Sequence, residues 1–194
     1  MSKQQVKSKG GRGARQRILN AAAELFYREG INATGVERLA AASSVSKRTL
    51  YQHFPSKTAV VEEYLRSIEH RVADSALSGS DADDQTPRER LLAVFEAPTT
   101  RGGPLRGCPF HNAAVEAAGA MPGVQEIVRA SKRSFVDGLT ELARQAGAAD
   151  PQRLGNELGV LYEGAAALAT SLDDSSPWRP ARTAAETLID QAVS

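Results

Sequence analysis

Apolar residues recur at helical spacing along almost the whole chain, and no sustained run alternates apolar and polar with the period of a strand. The pattern predicts an all-α protein. In a first helix from Arg12 to Glu29, Ile18, Ala22, Leu25 and Phe26 share one face, and Gly30 follows as a stop. Thr34 is expected to cap a short second helix, Gly35 to Ala42, carrying Val36, Leu39 and Ala40. Ser43 and Ser44 make a turn, and Ser46 caps a third helix reaching about His53. Pro55 and Ser56 interrupt that helix and cap a fourth, expected over 56–77. It presents Val60, Val61, Tyr64, Leu65, Ile68 and Val72 before giving way to the Ser, Gly and Asp of residues 78–85.

Beyond that linker, Thr86-Pro87 opens a helix through Leu91, Leu92 and Phe95 that must end near Pro98. Thr99 to Pro109 is the longest irregular stretch of the larger domain. Phe110 to Ala118 forms a short helix. Pro122 then starts a long one through Ile127, Phe135, Leu139 and Leu142, and Asp150-Pro151 caps the next. In that helix Leu154, Leu158, Leu161, Ala165, Leu168 and Leu172 have the spacing of a continuous packing seam. Gly155, Gly159 and Gly164 lie beside it; each costs the helix up to ~1 kcal/mol relative to Ala, a cost that close approach of another helix can offset. A last helix, Pro180 to Ala192, sets Ala181, Ala185, Leu188 and Ala192 on one face.

Charge divides this helical chain in two. Through residue 57, eleven Lys and Arg stand against three Glu, a net of +8, and the remainder, thirteen against twenty, carries −7. A polyanion-binding head on an acidic body has this distribution, because neutralising phosphates is the sequence-independent part of nucleic-acid affinity. The expected organisation is a disordered basic arm over 1–11, a DNA-binding domain over 12–57 and a larger domain over 58–194. The single cysteine, Cys108, excludes an intrachain disulfide and fits a reducing cytoplasm. No apolar run approaches the ~20 residues that span a bilayer.

The second and third helices meet the requirements of a helix-turn-helix: two short helices, a tight turn, and an exposed polar start to the second. Leu50 and Phe54, four residues apart, face inward with Val45 at the entry. Ser46, Lys47, Arg48 and Thr49 are left outside, where Lys or Arg bond guanine edges and Ser or Thr meet bases or phosphates. Taken singly, Lys47 and Arg48 also suit a solvated helix face.

Arg17-Ile-Leu-Asn-Ala-Ala-Ala-Glu-Leu-Phe, Gly30-Ile-Asn-Ala-Thr-Gly-Val and Val45-Ser-Lys-Arg-Thr-Leu-Tyr-Gln-His-Phe-Pro-Ser-Lys57 together resemble the TetR-type transcriptional regulators over roughly residues 14–65. The resemblance implies phosphate contacts from Thr34, Tyr51, His53 and Lys57, and base contacts from Lys47, Arg48 and Thr49. It further implies a helical, ligand-responsive C-terminal domain and a homodimer joined by its last two helices. Such a dimer would read a roughly palindromic operator in double-stranded DNA, its recognition helices ~34 Å or a multiple apart. One position departs from the pattern: many members carry Gly in the turn where this chain has Ser44, and a φ above zero there would strain a serine.

Arg106-Gly-Cys-Pro-Phe-His-Asn112 resembles a segment found in a subset of these regulators, at the entrance to the ligand domain. Cys108 and His111 as nucleophile and base lack an oxyanion motif or an orienting acid, so no enzymatic activity and no cofactor are expected. Cys108, His111 and Glu116 as metal ligands match no strong zinc spacing. Cys108 as an oxidation sensor, favoured by Arg106 or a helix start, and Cys108 as a plain core residue both stay open. For a small-molecule effector the candidate walls are Tyr64, Phe95, Cys108, Phe110, His111, Phe135, Tyr162 and Trp178. A ligand-released repressor is the expected function; a redox-responsive regulator, a non-specific architectural DNA binder and an enzyme with a borrowed head are the alternatives.

Overall fold

The structure is a computed structural model that describes residues 13–78, 85–97 and 105–193. The expected basic arm, most of the linker and the first part of the irregular stretch after Thr99 lie outside the described residues, as does the side chain of Val72. Among the described residues there are nine helices and no strand: α1 (Ala14–Arg28), α2 (Val36–Ala42), α3 (Lys47–His53), α4 (Lys57–Ser78), α5 (Pro87–Ala93), α6 (Pro109–Glu116), α7 (Pro122–Gln145), α8 (Pro151–Leu172) and α9 (Trp178–Val193). They fall into two compact units divided between Arg66 and Ser67, so the first part of α4 belongs with the DNA-reading helices.

In the first unit α1 packs on α2 and α3. Its core is Ile18, Leu25, Phe26, Ile31, Leu39, Leu50, Phe54, Val60, Val61 and Leu65, all buried. Gly30, at φ 98°, ends α1 as expected, since only glycine adopts that conformation without cost. The caps that depend on local chemistry form where the residues predict. Ser46 accepts from the Thr49 amide at 3.0 Å, Ser56 from the Ala59 amide at 3.1 Å, and Asp150 from the Arg153 amide at 3.0 Å. Thr86 and Glu89 close a capping box at the start of α5. Thr34 is the exception. It is fully buried, its hydroxyl donates to the Gly30 carbonyl at 2.7 Å, and Gly35 in extended conformation takes the cap position of α2. The positive φ of Gly30 turns the chain back on itself, and the threonine closes that turn instead of the next helix.

The second unit is built on α7 and α8, with α9 against α8, α5 against α7 and α9, and α6 against α7. Its core joins Leu91, Leu92, Phe95, Leu139, Leu154, Leu158, Trp178, Ala185 and Ile189. Gly155 and Gly159 are where α7 comes close: a β-carbon on Gly155 would stand 2.3 Å from the Thr140 hydroxyl, and one on Gly159 3.1 Å from Val136. The leucine seam is covered only in part within one subunit. Leu154, Leu158 and Ala165 are buried, but Leu168 is 57% exposed and Leu172 61%. The buried face of α8 centres on Gly155, Gly159, Ala166 and Ala169, roughly a fifth of a turn from the leucine column, because the small residues admit α7. Val160, Gly164, Leu168 and Leu172 instead form an exposed column at four-residue spacing. On α9, Ile189 occupies the inner position expected of Leu188, which is half-buried.

Candidate DNA-reading surface and effector cavity

The turn between α2 and α3 is closed by two backbone bonds: the Val45 amide donates to the Ala40 carbonyl at 3.0 Å, and the Ser44 amide to Ala41 at 3.1 Å. This double bond is a Schellman ending for α2, whose residue after the cap must be left-handed. That residue is Ser44, at φ 52°, so the strain anticipated from the missing glycine is present. Two further contacts brace the turn. The Ser43 hydroxyl, buried, donates to the Leu39 carbonyl at 2.6 Å, and the Arg17 Nε donates to the Ser43 carbonyl at 3.1 Å.

This turn fixes α3 on the core through Leu50 and Phe54, with Val45 half-buried at the entry. Ser46, Lys47, Arg48 and Tyr51 are exposed, while Thr49 and His53 are half-buried. Thr49 is tied to the cap, its Oγ1 lying 2.9 Å from the Ser46 hydroxyl. Lys47 is ion-paired with Glu37 of α2. Lys57, opening α4, donates to the Asn32 carbonyl at 3.5 Å. Arg15 connects the elements behind this surface, bonded to Glu63 at 2.6 Å with its guanidinium 5.4 Å from the Phe54 ring centre. The hydrogen bond from Arg15 holds the Glu63 carboxyl below its usual range. Thr34, by contrast, has no exposed surface, so the phosphate contact expected of it has no group to make it.

The second unit holds a half-open cavity of about 290 Å³ walled by α6, the residues before it, and α8. Cys108 caps α6 and lines the cavity with Arg106, His111, Asn112, Glu116, Glu163 and Thr170. Lys132 of α7 donates to the Cys108 sulfur at 3.4 Å and is ion-paired with Glu163. The Asn112 amide donates to the Arg106 carbonyl at 2.6 Å. Gly107, at φ 65°, sits where a β-carbon would lie 2.3 Å from the Thr170 hydroxyl, so this wall tolerates no side chain.

Of the expected cavity residues, Cys108 and His111 line it and the aromatics do not. Tyr162 lies among Phe95, Phe135 and Trp178, with ring centres 6.2, 4.8 and 5.1 Å away. Burial, then the nearby Cys108 and Glu163, push its hydroxyl above the usual tyrosine range. Phe110 is buried, and Tyr64 stands edge-on to Phe26 in the first unit. These rings pack in or against the core because large apolar faces gain more from close packing than from lining a half-open hollow that reaches solvent. Glu163 and Thr170, which line the cavity with Cys108, and Lys132, which reaches the Cys108 sulfur from α7, are scattered through the sequence and gave no linear signal. Among the described residues, no three His, Cys, Asp or Glu converge as a metal would require, and no helix is long and apolar enough to cross a membrane.

Both units have counterparts. A family model described as "Bacterial regulatory proteins, tetR family" matches residues 18–64, and one described as "Tetracyclin repressor-like, C-terminal domain" matches 86–185, just over half the chain. The HTH-type transcriptional activator FasR of Mycolicibacterium smegmatis is 40% identical over 86 residues, 43% of this chain and 37% of that protein. The HTH-type transcriptional repressor KstR2 of Rhodococcus jostii is 41% identical over 59 residues, 30% and 29% of the two chains. The chain thus spans well under half the length of these two relatives. A TetR-family transcriptional regulator of Streptomyces coelicolor superimposes with a TM-score of 0.74 at 31% identity, over 93% of this chain and 96% of its own. Since two family models match in order along one chain, the second over half of it, and a solved TetR-family regulator matches nearly its full length at 31% identity, this protein belongs to the TetR family of transcriptional regulators.

Proposed function

We propose that the protein is a homodimeric repressor that binds a palindromic operator and is released from it by a small molecule held in the second unit. Base contacts come from Lys47, Arg48 and Thr49 with Ser46 beside them, and phosphate contacts from Tyr51, His53 and Lys57. The observation that carries the dimer is the exposed column Val160, Gly164, Leu168 and Leu172 on α8, since a run of large apolar side chains left in water marks an interaction surface. Effector response is supported by the cavity beside Cys108, whose mixed polar and apolar walls suit a small organic molecule better than a macromolecule. Differential affinity of ~100-fold between the DNA-binding and released states would supply ~2.7 kcal/mol, passed to the reading heads through α4.

A footprint of the purified protein on its own upstream DNA, repeated with candidate effectors, tests the whole reading. A discrete palindromic footprint released by one compound is expected. Uniform protection without a boundary overturns it in favour of an architectural role. Activation is the second reading, favoured by the relative named an activator, and a reporter fused to the footprinted region separates the two by the sign of its response.

A further inference from the structure

Glu37 lies in the first turn of α2, and its carboxylate accepts a hydrogen bond from the ammonium of Lys47, the first residue of α3. The side chains are 74% and 53% exposed, so the pair stands on the surface beside the reading helix and is not packed into the core. That bond lowers the Glu37 carboxyl and raises the Lys47 ammonium from their ordinary values, so both are charged at neutral pH. A carboxylate here is unfavourable to a polyanion, and the first unit otherwise carries an excess of positive charge. An ammonium has three N–H donors. With one committed to Glu37, the other two are biased toward the side of the ammonium turned away from that carboxylate. A base-edge acceptor in the right place meets them without opening the pair. A phosphate elsewhere is reached only by breaking it, which leaves Glu37 alone beside the DNA backbone.

We propose that Glu37 is a specificity-determining residue, holding Lys47 for a base edge and withholding it from phosphate. The inference rests on Lys47 facing the DNA, as in the function proposed above. It is tested with full-length Glu37→Gln, Lys47→Ala and the double variant, titrated by fluorescence anisotropy against a random-sequence duplex and a duplex selected by the wild-type protein. Releasing Lys47 adds one phosphate contact. Glu37→Gln therefore tightens random-duplex binding about eightfold per engaged subunit at 0.1 M salt and steepens the salt slope by ~0.9 per engaged subunit, while the selected duplex gains less. In the Lys47→Ala background the gain from Glu37→Gln shrinks to less than about twofold. Glu37→Asp keeps the acid at the helix start but shortens its reach, and it behaves like Glu37→Gln on random DNA. An undiminished gain without Lys47 overturns the proposal, because a carboxylate that merely repels DNA needs no lysine. No gain in either background overturns it as well. Lys47→Ala leaving both affinities unchanged overturns the placement of Lys47 at DNA, and the proposal with it.

Discussion

Ser44→Gly is expected to stabilise the protein. A left-handed conformation costs an L-residue roughly 1–2 kcal/mol, and Ser44 holds it at φ 52°. Glycine removes that cost but gives up ~0.5–1 kcal/mol through the greater freedom of its unfolded backbone. The net gain is about 0.5–1 kcal/mol, provided the Ser43 and Arg17 contacts bracing the turn are unchanged. Hydrogen exchange is the direct assay, because the amides of residues 44 and 45 are the two that close the Schellman turn. Their exchange should slow about two- to fivefold where it is governed by opening of the turn. A thermal melt of the same variant should rise by a few degrees. Ser44→Val, with a β-branched side chain in the same conformation, should lose about 1 kcal/mol or more. Faster exchange at the two amides in Ser44→Gly, or a tolerated Ser44→Val, would sink the reasoning, since both outcomes mean that the turn does not impose its φ on residue 44.

Arg48→Ala should relax base preference, whereas Lys57→Ala should weaken binding to all sequences and lower the salt slope by ~1; equal losses for Arg48→Ala on operator and random DNA contradict its role. Gly155→Ala should destabilise by about 1–3 kcal/mol in urea melts despite its better helix propensity, because its β-carbon meets the Thr140 backbone nitrogen at 2.8 Å as well as the hydroxyl. Gly164→Ala, with open space around it, should not show this loss in monomeric protein. Leu172→Glu should weaken self-association by about tenfold or more in sedimentation equilibrium while leaving the fold intact, because the site is solvent-exposed in one subunit. The pH response of Glu63 follows from its depressed folded-state value. Its pairing with Arg15 stabilises the fold above the unfolded value near 4.5 and is lost as pH falls through the lower folded one, so the stability difference between wild type and Glu63→Gln should shrink on acidification below 4.5 and vanish once pH is under the depressed folded value.

The parts legible in the sequence were those governed by neighbours along the chain. Ser46, Thr86 and Asp150 cap helices with donors three residues away, and the glycine preference of the turn marks Ser44 as an anomaly from the sequence alone. Thr34 failed because two local uses competed for one hydroxyl, and the glycine-induced turn behind it prevailed over the helix ahead. The leucine column of α8 was legible as an apolar seam, but not in which edge of it one subunit covers. Periodicity shows that a face is apolar, but which edge of it is covered depends on where α7 can come close, and that is decided by Gly155 and Gly159 against Thr140 and Val136. The cavity was half legible. Cys108 and His111 stood out in a short unusual segment, whereas Lys132 and Glu163, polar residues on two long helices, acquire their role only when α7 and α8 pair.

The tight seating of α7 on α8 bears on which parts of the cavity can change shape. Helices whose backbones are this near cannot part by a fraction of an ångström without losing many contacts at once, so the pair behaves as a stiff plate. The cavity has the α8 side of this plate as one wall and, as the other, the stretch from Arg106 into the short helix α6, as far as Glu116. Accommodating a larger or differently shaped molecule therefore falls to that thin wall. Under the function proposed above, substitutions there would retune the response while the plate, and the exposed column on α8 proposed to meet a second subunit, remain as they are.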